Sequence, residues 1–88
     1  MTTEQLLPSI TIRLRFHGPM RRYLHPSSSS DVVAIELELG RTLADAVRQA
    51  GLPVEAEWAA VVDDRIVGWH YVPRAEETIT ILPALAGG

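Results

Sequence analysis

The sequence predicts an α+β domain: a mixed sheet with one main helix packed on one face and an extended C-terminal tail. Three observations carry that prediction. Ser9 to His17 and Asp31 to Leu39 each alternate apolar with polar residues, the period of a half-buried strand. Thr42 to Ala50 carries apolar residues at helical spacing. Three shorter strand-like runs follow, the last being Thr78 to Leu82. A hairpin, then a helix, then strands lets one helix cover one face of a single sheet, and 88 residues suit one small core.

Each element has its own warrant. In the first strand Ile10, Ile12, Leu14 and Phe16 share one face, with Thr11, Arg13, Arg15 and His17 on the other. Gly18-Pro19 ends it, and Met20, Tyr23 and Leu24 then recur at helical spacing, so a short helical turn with Pro19 near its first position is expected. His25-Pro26 and Ser27 to Ser30 read as a solvated loop. In the second strand Val33, Ile35, Leu37 and Leu39 are expected inward. Antiparallel pairing with the first strand is expected to set Glu36 and Glu38 opposite Arg15 and Arg13. Thr42 is the expected N-cap, with Asp45 three residues on, and Leu43, Ala46, Val47 and Ala50 form the apolar face. Gly51 supplies the left-handed stop, Leu52 folds back toward Val47, and Pro53 prevents continuation. Trp58 to Val62 is a third strand, Asp63-Asp64-Arg65 a tight turn, and Ile66 to Val67 a short partner strand. In the last strand Ile79 and Ile81 point inward, and Thr78, Thr80 and Leu82 outward.

The crossover helix must pack back over the apolar face, which sets the last strand parallel beside the first in the middle of the sheet. That arrangement is the β-grasp, or ubiquitin-like, fold. The expected organisation is a flexible lead-in over 1–8, the β-grasp domain over 9–82 and a Gly-Gly tail over 83–88. Composition narrows the function classes. The chain has no cysteine, which removes disulfides, thiolate metal sites and a cysteine nucleophile. His17, His25 and His70 have no ligand-like spacing, so no metal site is expected. A net charge of −3 disfavours nucleic-acid binding through released counterions and suits a partner with a basic surface. Trp58, Trp69 and Tyr71 are therefore expected in core or partner packing rather than base stacking. No apolar run is long enough to span a membrane, and a cytoplasmic protein is the expectation.

Three stretches resemble the MoaD/ThiS family, the ubiquitin-like sulfur carriers of prokaryotic cofactor synthesis. They are Ile12-Arg13-Leu14-Arg15-Phe16-His17-Gly18-Pro19-Met20-Arg21, Gly40-Arg41-Thr42-Leu43-Ala44-Asp45, and Ile79-Thr80-Ile81-Leu82-Pro83-Ala84-Leu85-Ala86-Gly87-Gly88. The outline is most similar to the small subunit of molybdopterin synthase. The chain departs from the family where Asp63-Asp64 replaces the usual Asn-Gly turn and Glu76-Glu77 replaces Gly-Asp before the last strand.

The resemblance implies a carrier or cosubstrate rather than an enzyme. Gly88 would be adenylated by a ubiquitin-activating-type enzyme that uses ATP, the carrier itself binding no cofactor. A sulfurtransferase or cysteine desulfurase would then supply sulfur for a Gly88 thiocarboxylate. A synthase large subunit or another acceptor would take that sulfur, with molybdopterin the first expectation and thiazole/thiamine or another biosynthetic route the alternative. Attachment of Gly88 to protein lysines, as a ubiquitin-like modifier, is the other alternative. In this reading Gly87 gives clearance in a narrow channel, Ala84, Leu85 and Ala86 make uncharged contacts along it, and Leu82 and Phe16 are candidates for partner docking. Phe16 also falls on the predicted core face.

Overall fold

The computed structural model describes residues 8–25, 27, 29–53 and 56–84. The lead-in as far as Leu7, and Leu85, Ala86, Gly87 and Gly88 of the tail, lie outside the described residues. Five strands, β1 (Ser9–Phe16), β2 (Val32–Glu38), β3 (Trp58–Val62), β4 (Arg65–Val67) and β5 (Thr78–Pro83), form one sheet in the order β2-β1-β5-β3-β4. β1 pairs antiparallel with β2 and parallel with β5, and β3 pairs antiparallel with both β5 and β4. The single α-helix among the described residues, α1 (Leu43–Gln49), belongs to the connection between the β1–β2 hairpin and the second half of the sheet.

Alternation decides what the sheet buries. Ile12, Leu14 and Phe16 of β1 and Ile79 and Ile81 of β5 have no exposed surface, and they share one core with Leu43, Ala46 and Val47 of α1. Each large aliphatic or aromatic side chain taken out of water there contributes about 1.5–3 kcal/mol. The expected helical turn after β1 forms as a 3₁₀ turn, Gly18–Tyr23, with Pro19 in its opening positions and Met20 buried.

Both ends of α1 form as the sequence dictates. Thr42 Oγ1 accepts a hydrogen bond from the Asp45 N–H at 3.4 Å, and Asp45 Oδ2 accepts one from the Thr42 N–H at 3.4 Å, a reciprocal capping box. Two further N–H groups of the first turn donate to a distant segment: Leu43 to the Tyr71 carbonyl at 2.7 Å and Ala44 to the Trp69 carbonyl at 3.0 Å. Gly51 ends the helix at φ +104°, a conformation that disfavours any side chain, and the Leu52 N–H returns to the Val47 carbonyl.

Two expectations are corrected. The β1–β2 register lies four residues from the one expected: Arg13 faces Ala34 and Arg15 faces Val32, while Glu36 faces Thr11 and Glu38 faces Ser9. An even shift keeps every apolar side chain on its face, and the observed register stacks Ile12 on Ile35, Leu14 on Val33 and Ile10 on Leu37. Exposed charge pairing, which contributes at most about 1 kcal/mol per pair, does not fix the register. Leu39, expected inward, is 61% exposed because β2 stops at Glu38 and the chain turns there.

Three non-glycine residues lie on left-handed backbone, Asp63, Asp64 and Glu76. Asp63 and Asp64, the two residues linking β3 to β4, have φ of 50° and 65°, the left-handed pair of a tight hairpin turn. Glu76 has φ of 64°, and its side chain accepts a hydrogen bond from Arg13 at 2.9 Å. Its neighbour Glu77 accepts from the Tyr71 hydroxyl at 2.8 Å and from the Arg74 N–H at 3.0 Å, tying the segment before β5 together. Burial, then the hydrogen bond to Glu77 and its negative charge, raises the Tyr71 phenol above its ordinary value.

Leu14→Ala should lower stability by about 2–5 kcal/mol through a core cavity, read from urea unfolding. Asp64→Gly should raise it by up to about 1 kcal/mol, visible as a higher urea midpoint at unchanged slope. A raised phenol pKa favours the folded state while Tyr71 stays neutral, so that contribution is complete below the ordinary value of 10.0 and is lost as pH rises through the raised one. The stability difference between wild type and Tyr71→Phe should therefore narrow across that alkaline range, measured as urea midpoints against pH.

Candidate docking face and tail exit

β5 lies in the middle of the sheet, between β1 and β3, and leads directly into Ala84. Its side chains divide between the two faces. Ile79 and Ile81 enter the core, which leaves Thr78, Thr80 and Leu82 on the face away from α1. The His17 N–H donates to the Ile81 carbonyl at 3.0 Å, so pairing with the β1 side continues one residue past Phe16, toward the tail.

Register gives Leu82 its neighbours. It stands opposite Ala59, while Thr80 stands opposite Val61, which in turn stands opposite Ile66 of β4. Leu82, Ala59 and Val61 are half-buried and Ile66 is 81% exposed. The result is an uncharged patch across β5, β3 and β4 on the open face, next to the point where the chain leaves the sheet. On its other side Thr80 faces Arg15 of β1, which is exposed and brings positive charge to the patch border.

The predicted site residues separate accordingly. Leu82 is on the open face as expected. Phe16 is not available for docking: it has no exposed surface, because it shares the inward phase of Ile12 and Leu14 and pairs with Ile81 in the centre of the core. Ala84 is half-buried and helps line a groove of about 530 Å³ on the helix side, formed with Leu52, Pro53, Trp58, Val67 and Trp69. Trp58 and Tyr71 pack against the core, as expected, whereas Trp69 is 58% exposed and stacks on His70 with ring centroids 3.8 Å apart. Leu85, Ala86, Gly87 and Gly88 lie outside the described residues.

Ile66 is the residue that sequence reasoning missed. Its signal was available: a two-residue turn at Asp63-Asp64 fixes the β3–β4 register, and that register sets Ile66 beside outward-facing Val61. A β-branched residue this exposed on an edge strand has no packing role of its own, and it extends the apolar surface around Leu82.

No protein-family model matches the sequence, and no curated protein matches it. Among solved structures the chain is similar to SAMP1 from Haloferax volcanii, with a TM-score of 0.61 over 89% of this chain and 99% of that one, at 12% sequence identity. That likeness, with the five-stranded mixed sheet and its single main helix, shows the β-grasp, ubiquitin-like fold.

Proposed function

We propose that this chain is a ubiquitin-like sulfur carrier that presents the Gly88 carboxylate to an adenylating enzyme and then donates sulfur from a Gly88 thiocarboxylate in cofactor biosynthesis. Molybdopterin formation is the first candidate acceptor route. The observation that carries the proposal is that Leu82, Pro83 and Ala84 lead the chain out of the central strand of a β-grasp sheet beside an apolar open face, and that the sequence then reads Leu85-Ala86-Gly87-Gly88. The resemblance to MoaD/ThiS carriers in the same segment supports it.

The chemistry requires little from the carrier. A carboxylate is a poor acyl donor. Attack of its oxygen on the α-phosphorus of ATP releases pyrophosphate and converts the oxygen into part of an adenylate leaving group. The terminal sulfur of a partner persulfide then attacks the Gly88 carbonyl carbon and AMP departs. A second thiol of the partner attacks the partner's own sulfur in that acyl disulfide, forming a disulfide within the partner and releasing the other sulfur on Gly88 as a thiocarboxylate. Gly87 and Gly88 provide an unobstructed backbone for a narrow channel. Leu82, Ala59, Val61 and Ile66 hold the body of the carrier against the activating enzyme through an apolar contact, and Arg15 sets its orientation at the rim.

Intact-mass analysis after co-expression with a ubiquitin-activating-type enzyme and a sulfur source should show one oxygen exchanged for sulfur, localised to Gly88 by fragmentation. Deleting Gly88 should abolish the exchange and leave the thermal midpoint nearly unchanged. Ile66→Glu should slow adenylation, read as pyrophosphate release, at unchanged fold. An unmodified mass under conditions that thiolate an authentic carrier would overturn the proposal, and Gly88 remnants on lysines of other proteins would instead assign a modifier role.

A further inference from the structure

The outer edge of β2 carries a short run of unpaired backbone groups bounded by side-chain plugs. In the antiparallel β1–β2 ladder, residues alternate between pairs that exchange hydrogen bonds and pairs that do not. The Phe16 N–H donates to the Asp31 carbonyl at 2.8 Å and the Leu39 N–H to the Pro8 carbonyl at 2.9 Å, which fixes the phase from both ends. Val33, Ile35 and Leu37 therefore turn their backbone groups toward β1, and Val32, Ala34, Glu36 and Glu38 turn theirs away from it. The same phase accounts for Arg13, opposite Ala34, donating its N–H to the Glu77 carbonyl on the other side.

Three of the outward groups are already occupied. The Val32 N–H donates to Ser30 Oγ at 3.1 Å, the Glu36 carbonyl accepts from Gln49 Nε2 at 3.0 Å, and the Glu38 carbonyl accepts from the Arg41 N–H at 3.0 Å. Between these plugs, the Val32 carbonyl, both groups of Ala34 and the Glu36 N–H make no hydrogen bond among the described residues. Ala34 is exposed, with a side chain too small to cover its own backbone. Protected edges carry charge, proline or bulges; this one is plugged at both ends and open in the middle.

Side chains state what fits there. On the open face the window is flanked by Glu36, and among the described residues its carboxylate is not paired with an arginine. Glu36 has only the neutral Ser9 hydroxyl, at 3.0 Å, because the observed register takes the β1 arginines away from it. On the inner side, half-buried Val33 and nearly buried Ile35 border the same window. An added strand would thus meet the Glu36 carboxylate on one face and aliphatic surface on the other.

We infer that the β2 edge at Ala34 is a second docking site, which takes an extended partner segment with alternating basic and aliphatic residues as a sixth strand. Antiparallel addition opposite Ala34 forms four backbone hydrogen bonds: two with Ala34, one with the Val32 carbonyl and one with the Glu36 N–H. A basic side chain then lies beside Glu36, and an aliphatic one beside Val33 and Ile35. β1 separates this edge from β5, so a partner here leaves the Leu82 face and the tail accessible. The inference does not depend on the sulfur-carrier reading.

The test is a titration of the isotopically labelled full chain with the peptide acetyl-Arg-Val-Arg-Val-Arg-amide, followed by amide NMR and hydrogen exchange. Saturable shifts are expected at Ala34 and Glu36, together with exchange of the Ala34 amide slowed by about tenfold. Ala34→Pro removes the central donor at an edge position that tolerates proline and should abolish binding. Glu36→Arg keeps the backbone intact and should weaken it severalfold. The absence of shifts at millimolar peptide, shifts centred on Ile66 and Leu82, equal binding of the glutamate-for-arginine peptide, or undiminished binding by folded Ala34→Pro or Glu36→Arg would overturn the inference. Concentration-dependent shifts at Ala34 without peptide, with dimer in sedimentation, would overturn it in favour of a second copy of the chain.

Discussion

The parallel pairing of β1 with β5 is the constraint on which the rest of the structure depends. Two parallel neighbours cannot be joined by a tight turn, so the chain between them must cross a face of the sheet. That crossing brings α1 onto the side where Ile12, Leu14, Phe16, Ile79 and Ile81 are stacked, and one core results. The same pairing makes β5 a central strand supported by β1 and β3. Whatever follows Pro83 therefore starts from one of the most firmly held strands of the molecule. The body of the domain thereby fixes where the segment after Pro83 begins.

Much of this was legible in the residues. The inward phases of β1 and β5 follow from strict alternation, and the capping box at Thr42 and Asp45 is a local signal that needs no tertiary knowledge. The Gly51 stop is equally local, since few other residues adopt φ +104°. Register was harder to read. A strand of period two looks the same after any even shift, so the Arg13 and Arg15 to Glu38 and Glu36 pairing and the observed pairing share identical faces. What separates them is the depth at which Ile35 and Leu37 enter the core. Surface charge is a weak guide when that choice is open.

The candidate site shows the same division. Leu82 is legible because its phase within β5 is local, and the inward phase of Phe16 places it in the core rather than on a docking face. Ile66 required the β3–β4 register, a property of two strands and the turn between them. Asp63, Asp64 and Glu76 adopt positive φ although none is glycine, and nothing in the local alternation of the strands marks those three positions. Similarity of shape with low sequence identity, as with SAMP1, is the expected result.

The two carbonyls that receive the Leu43 and Ala44 amides have a consequence for how the domain comes together. α1 has seven residues, short of the length at which a helix holds itself in water, and half of its opening turn is anchored to the Trp69–Tyr71 segment far along the chain. The helix therefore cannot serve as an early autonomous seed. It becomes ordered only when the second half of the sheet has arrived, so helix, connection and central strand form one cooperative unit that opens and closes together.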